Sequence, residues 1–230
     1  LRLGVELHML STDKSALMND PRIKSLVERA DAAAKAAEGR GDWLTASELY
    51  YRLDLLLEEK ATYRDDVKRE TQRLAMIRMY APKRMWELRN ARRNAEISWQ
   101  DKHQDAAKPD NADNAARQRE RRPLPPYNPV GDDFQQKLEG IDGEMVQQAL
   151  QRAVQRHVER TPMSKALRSG LEALKVMVGT EDLREVFPGV ADENARSSFV
   201  KVLDSELERL SRPGAAAGMA ELNALLISLP

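Results

Sequence analysis

The chain has 230 residues, 37 Lys plus Arg against 37 Asp plus Glu, 41% hydrophobic residues and no cysteine. That length allows one or two domains with a sizeable core. Zero net charge supplies no global field for nucleic acid or an anionic membrane, and the missing cysteine excludes disulfides, zinc–thiolate sites and thiol catalysis. In chain order, Leu1, Leu3, Val5 and Leu7 alternate with Arg2, Gly4 and Glu6, a period that suits a short strand or a lead-in segment. Asp20-Pro21 is a helix start, with Asp as N-cap and Pro at the first position. A helix then runs to about Glu38 and a turn follows at Gly41-Asp42. A second helix spans about Leu44 to Lys60. A third spans about Thr62 to Tyr80, with Val67, Leu74, Ile77 and the Ala75/Met79 pair on its apolar side. Ala81-Pro82 breaks it. A fourth helix covers about Lys83 to Gln100, anchored by Met85, Leu88 and Ile97.

Residues 101–131 differ in kind. Polar residues dominate, Pro123, Pro125, Pro126 and Pro129 follow, and no apolar periodicity survives. The stretch reads as a polar, Pro-rich linker between a unit at 1–100 and a C-terminal helical unit at 132–230. In the second unit Phe134, Leu138, Ile141, Met145, Ala149, Val154 and Val158 keep roughly helical spacing, with Gly140 and Gly143 as interruptions. Thr161-Pro162 opens a helix over Met163 to Val178 with the face Leu167, Leu171, Leu174 and Val178. A short helix follows Thr180 and ends at Phe187-Pro188-Gly189. A long helix runs from about Asp192 to Leu210, and a terminal one starts near Met219. The predicted fold is all-α, in keeping with the abundance of Ala, Leu, Glu, Arg and Lys. No stretch of about 18 apolar residues is present to span a membrane. The start at Leu1 and the apolar end Ala224–Pro230 read as those of an excised piece of a longer protein.

The hairpin at 22–60 carries the most specific pattern. Ala30, Ala33, Ala34 and Ala37 remove side-chain bulk where a second helix crosses, so the two axes can approach closely. Gly41, Asp42 and Trp43 form the turn, and Ala46, Tyr50 and Leu53 lie on the following helix. This arrangement resembles a tetratricopeptide repeat. Ala34 stands at the small crossing position, Gly41-Asp42-Trp43 at the turn, Ala46 at the second helix's alanine and Tyr50 at its aromatic. Leu53 replaces the usual smaller alanine, and the terminal proline is absent. The resemblance implies a protein-binding scaffold; one such hairpin cannot bury both its faces, so neighbours must stack on it. An ordinary alanine-rich helical hairpin is the plain alternative.

A second resemblance lies in His157-Val158-Glu159 followed by Gly170-Leu171-Glu172-Ala173-Leu174. It is similar to the helical lead-in of the carboxyl-terminal processing, or tail-specific, serine proteases. His157 replaces that family's tyrosine, and the Leu-Asp-Pro-His-Ser sequence that usually follows is missing. The resemblance implies a periplasmic or otherwise extracytoplasmic serine peptidase whose catalytic serine and lysine lie beyond these residues. No catalytic residue carries over, and no cofactor is implied.

Other candidate chemistry is sparse. His8, His103 and His157 are far apart and lack partners at ligand spacing. Glu58-Glu59 and Asp65-Asp66 are adjacent pairs, which do not share a helix face and read as solvated. Ser164-Lys165 are neighbours with nothing to mark either as a nucleophile or base. Lys83, Arg84, Arg89, Arg92 and Arg93 form a basic helical strip, and Arg117, Arg119, Arg121 and Arg122 a second basic cluster. With Trp86 and Trp99 as stacking partners they suggest nucleic-acid contact, but the acidic residues cancel the charge. A solvated face, or a docking strip for an acidic surface of the same protein, is the preferred reading. Arg121-Arg122-Pro123-Leu124-Pro125-Pro126-Tyr127 reads as a rigid spacer or as a polyproline II ligand. The leading expectation is therefore a non-catalytic helical region that binds protein or peptide, as the N-terminal part of a processing protease. A stand-alone adaptor and a nucleic-acid-associated helical protein are the alternatives.

Overall fold

The computed structural model describes residues 1–103, 122–156 and 162–212. The fold is all-α: among the described residues there are eleven α-helices and no strand. The chain divides into two compact units, Leu1–Asp132 and Asp133 onward.

Unit one begins with α1 (Arg2–Leu10) and α2 (Lys14–Asn19). The strand suggested by the alternation at 1–7 is a helix. A strand needs a partner to satisfy its backbone, whereas Val5 and His8 at helical spacing bury one face of α1, and Leu1 packs beside Val5. Gly4 brings α1 close to α3, where a Cβ would stand 3.1 Å from Leu26 Cδ2. The opposite face keeps Leu3, Leu7 and Leu10 in solvent.

Helix α3 (Pro21–Gly39) starts where Asp20 accepts a hydrogen bond from the Arg22 N–H at 2.7 Å. It ends in a Schellman turn: the Gly41 N–H donates to the Glu38 carbonyl and the Asp42 N–H to the Ala37 carbonyl, at 3.0 and 2.9 Å. Such a turn requires a left-handed residue, and Gly41 has φ +69°. Helix α4 (Trp43–Leu56) is capped by Asp42, which accepts from the Thr45 N–H at 3.2 Å. It stops short of the anticipated Lys60, giving way to a 3₁₀ turn at Glu58–Lys60 and a left-handed Ala61. Ala30, Ala34, Ala37, Ala46, Tyr50 and Leu53 form one core cluster between α3 and α4.

Helix α5 (Arg64–Tyr80) lies against α4, and α6 (Pro82–His103) follows after Ala81. The apolar side expected for α5 is only partly right. Ile77 is buried and Val67 and Leu74 are half-buried, but Ala75 and Met79 are exposed. The buried stripe runs instead through Glu70 and Arg73. On α6, Met85 and Leu88 are buried as anticipated, with Ile97 half-buried.

In unit two, the apolar spacing from Phe134 onward is split by Gly140 (φ +79°) into α7 (Phe134–Leu138) and α8 (Gly143–Arg156). Asp133 caps α7, and Asp142 accepts from the Met145 N–H at 2.8 Å. Helix α9 (Met163–Val178) packs on α11 (Glu193–Ser211) through Leu167, Leu171, Leu203 and Leu210. Between them lie a 3₁₀ turn at Glu181–Leu183 and α10 (Pro188–Ala191). Buried Thr180 donates its hydroxyl to the Val176 carbonyl at 2.7 Å, closing the end of α9. No helix among the described residues is long and apolar enough to cross a membrane.

Candidate functional site: the polar knot and the strap of unit one

The hairpin residues singled out in the sequence come together. Ala34, Ala46 and Leu53 are fully buried, and Tyr50 and Trp43 nearly so. With alanines on both helices of the crossing, α3 and α4 approach until backbone and methyl groups fill the interface.

The sequence did not announce what lies on the open side of this hairpin. Glu38, at the end of α3, accepts from the Tyr50 hydroxyl at 3.1 Å, from Arg69 Nη2 at 3.2 Å and from Arg73 Nη1 at 3.3 Å. Arg69 also donates to Asp66 at 2.7 Å and to Glu70 at 3.3 Å. Arg73 donates to Glu70, and its guanidinium stacks 4.1 Å from the centre of the Trp43 ring. Arg69 lies 5.8 Å over Tyr50, whose ring contacts Tyr63 at 6.1 Å. Three helices are thus tied by one polar knot.

The electrostatics follow from burial. Glu70 is wholly buried, and desolvation raises its pKa despite the opposing pull of Arg73. Its Oε2 has no hydrogen-bond partner, so only one carboxylate oxygen is compensated. The Tyr50 phenol is also pushed up, by burial first and then by Glu38. Tyr63 moves the same way through burial and Asp31. Asp66, read as a solvated residue, instead holds Arg69. The one sequence signal for this knot was Glu70 and Arg73 falling on the same helical stripe as Val67 and Ile77.

The basic strip is less continuous than its sequence suggests. Arg92 is bonded to Glu48 on α4 and, at 3.2 Å, to Glu96. Arg93 faces Glu96 and donates to the Arg122 carbonyl at 3.1 Å. Arg84 lies 3.7 Å from Glu87, while Lys83 and Arg89 are exposed. Three of the five cations therefore serve as internal ties. Arg117, Arg119 and Arg121, and His157-Val158-Glu159, lie outside the described residues, as does the helix expected from Met219. Of the protease-like residues that are described, Gly170 is exposed and a Cβ there would meet nothing within 4 Å.

The Pro-rich stretch read as a spacer packs back on α6 over residues 122–132. The Trp86 indole Nε1–H donates to the Pro125 carbonyl at 2.9 Å, and the Trp86 and Tyr127 rings stand 6.4 Å apart. The Tyr127 hydroxyl donates to Asp132 at 3.0 Å. A cleft of about 650 Å³ runs beneath this strap, lined by Arg78, Pro82, Met85, Trp86, Arg89 and the strap itself. Trp86 is committed to the strap, whereas Trp99 is exposed. Among the described residues no group of three or more His, Asp or Glu is placed to hold a metal ion. No protein family matches the sequence, and neither curated proteins nor solved structures give a match.

Proposed function

We propose that the chain is a non-catalytic helical scaffold that binds protein through apolar helix faces. The observation that carries this reading is the exposure of apolar side chains at helical spacing. On α1, Leu3, Leu7 and Leu10 are 73%, 55% and 83% exposed, although the other face of the same helix is packed. On α8, Met145 is 55% exposed, and Ala149, one turn further on, is exposed as well. Covering a side chain of this size removes enough apolar surface for about 1.5–3 kcal/mol, and contiguous faces of this kind mark interaction surfaces. The charged side chains of the knot, by contrast, are paired with one another. That the chain is the N-terminal part of a carboxyl-terminal processing serine protease is the narrower form of this proposal and rests on the sequence resemblance alone.

The test places a photo-crosslinking residue at Leu7, at Met145 and, as a polar control, at exposed Glu28, in cells that express the protein. Defined protein adducts at Leu7 or Met145 and none at Glu28 are expected. Equal labelling at all three positions would overturn the reading. Casein hydrolysis by the purified chain would overturn its non-catalytic part.

A further inference from the structure

The strap and α6 meet with a specific periodicity. Pro123, Pro125, Pro126 and Pro129 fix φ near the polyproline value, and each residue before a proline is driven out of the helical region. The backbone from 122 to 129 is therefore extended and poor in N–H donors, leaving carbonyls to be read. Two are read from α6: Arg122 by Arg93 Nε and Pro125 by Trp86 Nε1. The two carbonyls are three residues apart, one turn of a polyproline II helix, or about 9.3 Å. The two donors are seven residues apart on an α-helix, or about 10.5 Å. The spacings match, with the strap running antiparallel to α6. Leu124 and Tyr127, again three apart, are the half-buried side chains of residues 122–129, while Pro123, Pro125 and Pro126 stay exposed. This is the pattern of one polyproline face set into a groove.

We propose that the Trp86–Arg93 face of α6 is a recognition groove for polyproline II segments. Its own strap is a displaceable resident ligand, and a proline-rich segment of another protein, with apolar or aromatic residues three apart, is the partner it fits. The proposal rests on the scaffold reading, adds α6 to its binding surfaces and names the class of partner that this surface takes. The groove reads backbone carbonyls and a three-residue period, so the resident sequence is one solution among many. The strap is shallow: no residue from 122 to 132 is buried. Its hold depends on being tethered to the same chain, at an effective concentration of the order of mM.

The experiment uses a fluorescein-labelled peptide with the sequence of residues 122–129, measured by anisotropy against the full chain. Wild type should bind weakly. The strap variant Leu124→Ser/Tyr127→Ser, with the cis ligand weakened, should bind about tenfold more tightly, the ratio expected when a tether of order mM competes for a site of about 0.1 mM Kd. Adding Trp86→Phe, which keeps a ring but removes the donor, should lose most of that gain. A peptide with its prolines replaced by alanine should not compete. Circular dichroism confirms that each variant keeps its helices, and the Trp86 indole resonance reports strap release. Release without tighter peptide binding would overturn the proposal, as would indifference to Trp86→Phe or to the prolines. A wild-type dimer with exchanged straps would overturn the foreign partner in favour of a second copy. Adducts at Leu7 or Met145 without peptide binding would sink the groove and leave the scaffold reading standing; absence of both would sink the scaffold reading too.

Discussion

Arg73→Ala is the sharpest test of how unit one is held together. The Arg73 side chain is 7% exposed and that of its partner Glu70 0%. Removing one member of a buried ion pair costs about 3–5 kcal/mol, because the other charge is stranded. Here Glu70 keeps Arg69 at 3.3 Å, which places the loss at the lower end, about 3 kcal/mol, the lost cation over Trp43 included. For a unit of this size that corresponds to a fall in Tm of about 10 °C. All three tryptophans, Trp43, Trp86 and Trp99, lie in unit one, so urea unfolding followed by tryptophan fluorescence reads this unit selectively. The control is Glu70→Leu/Arg73→Met, which removes both charges and keeps the volume. Glu38 retains Tyr50 and Arg69, so this double variant should lie within about 1 kcal/mol of wild type. A loss below about 1 kcal/mol for Arg73→Ala would refute the reasoning. So would a double variant less stable than the single one.

The remaining predictions concern pH, the turn, the helix crossing and the basic strip. The folded-state pKa of Glu70 is raised, so the folded protein holds more protons than the unfolded one just above the ordinary glutamate value of 4.5. Its contribution is present below that value and is lost as pH rises from there through the folded pKa. The urea midpoint of wild type minus that of Glu70→Gln should therefore fall across this window; a flat difference would show that the carboxyl is unperturbed. Gly41→Ala should cost about 1–2 kcal/mol from its φ alone, because the nearest atom to a new Cβ, Arg84 Nη2, is an ordinary contact at 3.6 Å. Gly41→Asn should cost less, and equal urea midpoints for the two variants would contradict this. Ala34→Leu, at a position with no exposure, should cost about 3 kcal/mol by overpacking, and a native-like midpoint would mean that the crossing is loose. At low salt a labelled DNA duplex should show no saturable binding, since Arg92 and Arg93 are already paired; binding that weakens steeply with salt would revive the nucleic-acid reading.

Local signals with their own chemistry were legible in the sequence. Asp20-Pro21 and Gly41-Asp42 each specify backbone geometry within three or four residues, and both helix junctions stand where they were expected. The alanine face of α3 was legible for three of its four residues: Ala30, Ala34 and Ala37 are buried at the crossing, whereas Ala33, one position round the helix from Ala34, is exposed. The first ten residues are ambiguous in sequence because an alternation of seven residues fits both a strand and a helix with two apolar faces, and only packing against α3 and α4 decides between them. Glu70 and Arg73 were passed over because charge in a sequence is read as exposure; their burial depends on Glu38, more than thirty residues away, and on the Trp43 ring. Prolines announce an extended backbone, as a spacer or a polyproline II ligand, but say nothing of the indole in the same chain that receives it. The candidate site followed the same rule. The hairpin residues were found as a group, while the partners that engage them from α5 and from residues 122–132 are contacts of long sequence separation.

The alanine crossing of α3 and α4 also bears on how this protein can vary. The four alanine codons together reach Ser, Gly, Thr, Val, Pro, Asp and Glu by single base changes. At Ala34, Ala37 and Ala46, none of which has any exposed surface, only the first two add little or no bulk, and Gly weakens the helix by about 1 kcal/mol. Five of the seven accessible residues are larger, charged or helix-breaking. These three positions should therefore tolerate very few replacements in a saturation screen for folded protein, while Leu3, Leu7 and Leu10, equally apolar but exposed, should accept almost any residue in that screen and become restrictive only when selection acts on binding.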